Sequence, residues 1–260
     1  AFVRIGRQEQ EPLTEGVSAG GGGDPAGSCD SAIPFGELGN SVSASVNETP
    51  YWSFELDGQT AITITAENET ADPVITLYGP GETYIDENDD YDGLNSRLDM
   101  TDDLAAGTYC LAVTALSDDS APINVSISEY DAEEALQGLY ARGEAAPPLD
   151  GSIPVTDLGV LTSRTRQEVQ ATEDVTWFSI EFEDAGMLVV EAIANGNSDP
   201  WLVVYDDLGR QVGQNDDYGD GLDSLIAARL QAGIYIIGVR QYDGGQGFVR
   251  LLAERYVRAQ

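Results

Sequence analysis

One long stretch of this chain occurs twice. The first copy runs from Asp72 to Val113 and the second from Asp199 to Val239. Asp72-Pro73 matches Asp199-Pro200 at an offset of 127 residues, and Asn88-Asp89-Asp90-Tyr91 matches Asn215-Asp216-Asp217-Tyr218 at the same offset. Length changes before Ser96 and Ser224, and before Gly107 and Gly233, fall in polar loop sequence, where they are tolerated. Upstream, Tyr51-Trp52-Ser53-Phe54 answers Trp177-Phe178-Ser179-Ile180. A period this long implies two copies of a whole domain rather than a solenoid of small repeats. With 260 residues, each copy is long enough to bury its own core.

Short runs rich in β-branched and aromatic residues surround each copy, separated by Gly, Asn and Asp. In the first they are SVSASV (41–46), YWSFEL (51–56), AITITA (61–66), PVITLY (73–78), TYCLAV (108–113) and INVSIS (123–128). In AITITA, Ile62 and Ile64 alternate with Thr63 and Thr65, the pattern of a sheet with one buried face. The second copy offers PVTDLGVL, RTRQEVQA, TWFSIEF, GMLVVEAI, PWLVVYD, LIAARL, GIYIIGVR and GFVRLLAERY. Closely spaced strands without intervening helices predict an all-β chain of antiparallel sandwiches. The expected organisation is a Gly-rich tail over 1–30, sandwiches over 31–130 and 151–260, and a short helical, Pro-rich linker over 131–150. In that linker Asp131 is placed to cap a helix, Leu136, Leu139 and Tyr140 share a face, and Gly143 is placed to end it. Within the tail, Phe2, Val3 and Ile5 are a candidate strand for a sheet edge, in this chain or a neighbour.

Charge narrows the partners. There are 46 acidic residues against 12 basic ones, a net charge of -34, and every basic residue is Arg. Nucleic acid and anionic membrane surfaces would be repelled. No apolar run approaches the ~20 residues of a membrane span. The chain starts at Ala1 without Met, which fits an exported product cleaved after a small residue and places it outside the cell, at the cell surface or in the periplasm. In such a setting Cys29 and Cys110 are expected to form one disulfide; the other reading is two buried thiols.

The acidic loops carry the chemistry. Clustered carboxylates repel unless water screens them or a cation neutralises them, and calcium takes six to eight oxygens at ~2.3–2.6 Å in irregular loops. The expected calcium ligands are Asp72, Asn88, Asp89, Asp90, Asp92 and Asn95 in the first copy. In the second they are Asp199, Asn215, Asp216, Asp217, Asp220 and Asp223. Asn88-x-Asp90-x-Asp92-Gly93 imitates an EF-hand loop, but no helical pattern flanks it and Gly219 replaces the third ligand in the second copy. Asp72 and Asp199 have two readings, a turn cap ahead of Pro or a ligand from an adjacent loop; Asn88 and Asn215 can hold a turn. With no His in the chain, a Ser-His-Asp triad or a Cys-His pair is impossible, and no paired carboxylates stand out as a catalytic couple. Tyr91, Tyr218 and Tyr242 lie in polar loops, either exposed for sugar or protein contacts or packed on the loop backbone.

The spaced elements DPxLxLY, NDDY and LxAGxYxxxV resemble the bacterial pre-peptidase C-terminal domain, over about 31–130 and 151–257. The resemblance implies compact jelly-roll-like sandwiches of exported proteins, some of them calcium-binding and some collagen-binding, serving as binding or stabilising modules rather than catalysts. The expected function is a non-catalytic, calcium-binding structural or adhesive module of a cell-surface, matrix or filament-type assembly, with a protein partner or self-assembly through the N-terminal strand. The alternative is a polysaccharide- or protein-binding module, or an accessory subunit of a periplasmic complex.

Overall fold

The computed structural model describes residues 28–219, 221–242 and 245–257. The expected docking strand at Phe2, Val3 and Ile5 lies outside the described residues, as does Asp220. Two compact units divide the chain, Ala1–Tyr130 and Asp131–Gln260.

The first unit is built from nine strands: β1 (Ile33–Pro34), β2 (Ser41–Ala44), β3 (Tyr51–Leu56), β4 (Thr60–Glu67), β5 (Pro73–Gly79), β6 (Thr83–Asn88), β7 (Ser96–Leu104), β8 (Gly107–Ala115) and β9 (Ile123–Glu129). One sheet has the order β2-β9-β4-β7 and the other β1-β3-β8-β5-β6. Leaving β1 aside, the eight core strands place the first, eighth, third and sixth in one sheet. The second, seventh, fourth and fifth make the other. That is the jelly-roll order. Every pairing is antiparallel except β1 on β3, where Ile33 faces Trp52.

The second unit repeats the plan. After helix α1 (Ala132–Arg142) come β10 (Val155–Val160), β11 (Arg164–Ala171), β12 (Thr176–Phe182), β13 (Gly186–Asn195), β14 (Pro200–Asp206), β15 (Gln211–Asn215), β16 (Ser224–Leu230), β17 (Gly233–Gln241) and β18 (Gly247–Tyr256). The sheets are β11-β18-β13-β16 and β10-β12-β17-β14-β15. Here too the extra strand, β10, runs parallel to its neighbour, β12.

Alternation explains both cores. Ile62 and Ile64 of β4, Ile75 and Leu77 of β5 and Ile123 and Ile127 of β9 are fully buried between the sheets. Leu188, Val190, Leu202, Val204, Ile237 and Val249 fill the second core. Burying a side chain of this kind contributes about 1.5–3 kcal/mol.

The strand PWLVVYD does not alternate, because both its faces are covered. Leu202 and Val204 point into the core, while Trp201, Val203 and Tyr205 pack on the other face with Trp177 and Ile236. Their cover is the segment that leads into the unit: Ala146, Ile153 and Val155 lie against them. The segment over 131–150, expected as a linker, groups with the second unit. The Asp131 carboxylate caps α1, accepting from Glu133 N at 2.8 Å and Glu134 N at 3.1 Å. No residue of the helix is fully buried; Leu136 is exposed, while Leu139 and Tyr140 are half-buried. The C-terminal end of the helix is anchored. The Trp177 indole donates to Tyr140 O at 3.2 Å, the Tyr205 hydroxyl to Gly143 O at 2.7 Å, and Val175 N to Ala141 O at 2.8 Å. Burial pushes the Tyr205 phenol above its usual range. Gly143 ends the helix at φ 81°, and a Cβ there would meet the Trp201 ring at 2.6 Å. Only glycine satisfies both conditions.

In the first unit the corresponding face carries Val74, Thr76 and Tyr78, and a covalent bond does the anchoring. Cys29 and Cys110 form a disulfide with a Cα–Cα distance of 5.8 Å. It pins the short turn Cys29–Ser31 onto the middle of β8, ahead of β1. The bond closes a loop of 81 residues in sequence separation. In the chain-entropy account a loop of this size stabilises by about 4 kcal/mol. Reduction, or Cys110→Ser, is therefore expected to lower the melting temperature of the first unit by roughly 10–20 °C and leave the second unmoved. Differential scanning calorimetry with and without reductant checks this; parallel shifts of both transitions would contradict it.

Candidate functional site

At one end of each unit the acidic loop joins the two sheets, leaving a strand of one and returning into a strand of the other. The two loops are held by the same contacts. Asn88 closes the first: its amide donates to Asp90 O at 3.2 Å and its side-chain oxygen accepts from Arg97 N at 2.9 Å. Asn215 does the same, donating to Asp217 O at 2.9 Å and accepting from Leu225 N at 2.8 Å. Each side chain spans its loop and uses both a donor and an acceptor, which an amide offers and a carboxylate does not.

Ser96 and Ser224 lie beneath, both buried. The Ser96 hydroxyl meets Pro73 O, and Asp89 O at 2.9 Å. That of Ser224 meets Pro200 O, and Asp216 O at 2.7 Å. Each hydroxyl thus ties the start of a strand in one sheet to the loop and to the first residue of a strand in the other.

The residue before each serine is a latch. Asn95 Oδ1 accepts from Asn68 N at 2.9 Å, and Asp223 Oδ1 accepts from Ala194 N at 2.7 Å. Asn95 also pairs by backbone with Asp92 across the loop tip. Asp89 and Asp216 turn inward on their own loops, each accepting from the next backbone N–H at 3.0 Å. Asp90, Asp92 and Asp217 stand exposed.

Asp72 and Asp199 sit at the base. Asp72 adopts φ 55°, the left-handed region, with its N–H donating to Asn68 O at 3.0 Å and its carbonyl accepting from Leu116 N at 2.9 Å. Asp199 N donates to Gln241 Oε1 at 2.9 Å, and its carbonyl accepts from Tyr242 N at 2.7 Å. The backbone of each residue is therefore engaged by a neighbouring loop, and the Asp72 carboxylate receives the Ser117 hydroxyl at 3.5 Å.

Of the expected ligands, then, the structure gathers Asn88, Asp89, Asn95, Asn215, Asp216 and Asp223 into networks that close on backbone groups. Among the described residues no three His, Cys, Asp or Glu side chains are grouped to hold a metal ion.

Sequence reading did not single out Arg97, whose guanidinium lies over the Tyr91 ring at 5.2 Å and pairs with Asp99 at 2.9 Å. Asp99 in turn accepts from the Thr63 hydroxyl at 2.7 Å. Tyr91 is therefore packed, while Tyr218 and Tyr242 are 58% and 50% exposed. The signal for Arg97 is the residue that replaces it: Leu225 takes its place in the second copy.

Residues 48–115 match the family model of the bacterial pre-peptidase C-terminal domain. The first unit carries a pre-peptidase C-terminal domain. The second shares its strand order and loop network. A crystal structure of the pre-peptidase C-terminal domain of collagenase from Bacillus anthracis is similar at 13% identity, with a TM-score of 0.34, 42% of this chain and 98% of that one covered. The periplasmic g-type lysozyme inhibitor PliG of Aeromonas hydrophila is similar at 19% identity, with a TM-score of 0.28, 39% of this chain and 96% of that one covered. No curated protein matches the sequence.

If Asn215 is a structural clasp, Asn215→Asp removes the donor and sets a carboxylate against Asp217 O. The expected cost is about 1–3 kcal/mol of second-unit stability, measured by urea unfolding. An unchanged midpoint, or stabilisation that appears only with calcium, would make the residue a ligand instead.

Proposed function

We propose that the chain is a non-catalytic, exported β-sandwich protein that acts as a structural or adhesive module in an assembly at the cell surface, in a matrix or in a filament. The observation that carries this reading is a disulfide that ties Cys29 to Cys110, the latter within the stretch that matches the pre-peptidase C-terminal domain. Disulfides persist in oxidising compartments, outside the cytosol. Two supports accompany it. The buried polar side chains at the loop ends are engaged in holding backbone, which suits a scaffold. No helix among the described residues is long and apolar enough to cross a membrane. Isolation from the native source is expected to recover the chain outside the cytoplasm, in a complex larger than itself. A single free chain in the cytosol would overturn the reading. The exposed rings of Tyr218 and Tyr242 favour a second reading, a module for polysaccharide or protein ligands; what co-purifies separates the two.

Calcium enters as a narrower proposal. Exposed carboxylates at Asp90 and Asp217, each beside an aspartate (Asp89, Asp216) that accepts one backbone N–H, suit binding in the range of extracellular modules, about 10⁻⁴–10⁻³ M. Millimolar calcium is then expected to raise the melting temperature of metal-stripped protein, because a ligand of the native state stabilises it. Asp216→Asn with Asp217→Asn should abolish the second unit's share. No heat in calorimetric titration and no shift in melting would remove calcium from the account.

A further inference from the structure

The two units differ most on one surface, the outer face of the four-stranded sheet. In the first unit that face is polar and mostly small. Thr63 and Thr65 of β4 lie beside Ser128 and Ser126 of β9, with Glu67 beside Asn124. Arg97 is its one base, already paired with Asp99.

In the second unit the equivalent strands present Arg164, Arg166, Arg229 and Arg250, four of the 12 basic residues in the chain. Register places them on one face: Arg164 opposite Glu254, Arg166 opposite Leu252, Glu168 opposite Arg250, and Met187 opposite both Tyr256 and Arg229. Glu168 is held between Arg166 and Arg250, and hydrogen bonds from the two guanidinium groups keep its carboxyl below the usual range. Arg229 makes no ion pair among the described residues. Between the charges stand exposed apolar groups, Phe248 at 60%, Tyr256 at 54% and Met187 at 40%. Exposed Arg interleaved with large apolar side chains is the composition of a contact surface rather than of a solvated one.

We propose that this face docks a second copy of the chain, through the polar outer face of that copy's first unit. Complementarity selects the partner. Three carboxylates, Glu168, Glu191 and Glu254, oppose the four Arg here, so cation is in excess on a molecule whose net charge is -34. The other face is acidic on balance and lined by short hydroxyl side chains that let large groups approach. Four strands at ~4.8 Å spacing and about 30 Å of length give roughly 600 Å² per side. That falls below the ~800 Å² of a standard interface, so association in the micromolar range is expected. Two different faces make a head-to-tail contact, which extends into chains or closes into rings.

The proposal names the partner within the module reading above. The test is sedimentation at physiological salt over a range of concentrations. The wild-type chain is expected to reach twice the mass of one chain or more. Arg229→Glu with Phe248→Ser disables one face, and Glu67→Arg with Asn124→Arg disables the other. All four positions are exposed, and melting curves confirm that the variants fold. Each variant alone should remain a single chain, and an equimolar mixture should give a complex of two chains and nothing larger. A wild type that stays a single chain throughout would overturn the proposal, while leaving binding of a foreign partner standing. So would a variant that still associates, or a mixture that does not.

Discussion

A buried serine hydroxyl joins the two sheets at the same end of each unit. Ser96 meets the first residue of β5 from the first position of β7, and Ser224 does the same between β14 and β16. Without such a tie a sandwich end is an open seam, where buried carbonyls lack donors. The acidic loop is arranged around this contact. Its asparagine clasps the turn above, its latch residue fixes the strand beside it, and Asp90, Asp92 and Asp217 are left outside. The most recognisable part of the sequence is thus first an architectural device, and any cation it gathers is added to a network that already closes.

The two units solve one problem by different chemistry. The face of the five-stranded sheet turned away from the core must be anchored to the segment that enters the unit. In the second unit Trp177, Trp201 and Tyr205 are buried beneath that segment, with three hydrogen bonds to the end of α1 and the backbone beside it. In the first, smaller and more polar residues line the face, and the Cys29–Cys110 bond supplies the attachment. The same topology therefore tolerates either an aromatic clamp or a covalent one.

Much of this was legible in the residues. YWSFEL and AITITA gave their strands through alternation, and Asp131 and Gly143 marked the ends of α1. Strands β6, β7 and β15 were not legible, because TYIDEN, SRLDMTDDL and QVGQN are too polar to announce a buried face. Their pairing comes from neighbours: β6 and β15 are sheet edges, and the carboxylate on β7 at Asp99 is satisfied by Arg97 and Thr63. The loop residues were legible, but the backbone contacts they make were not. Clustered oxygens suggested a cation, whereas Asn88, Asn95, Asn215 and Asp223 accept from backbone N–H groups. That competition is decided by loop geometry, which spacing alone does not encode.

The disulfide also decides how the molecule bears load. Between its two cysteines, a pull on the chain is carried by the covalent bond. The covalent route bypasses β1 to β7, since 81 residues of sequence separation lie within it. Roughly 280 Å of contour length is thereby withheld from extension. The second unit has no such bypass, so under tension it can unravel while most of the first cannot. A chain anchored in series would stretch at one module and keep the other as a rigid link.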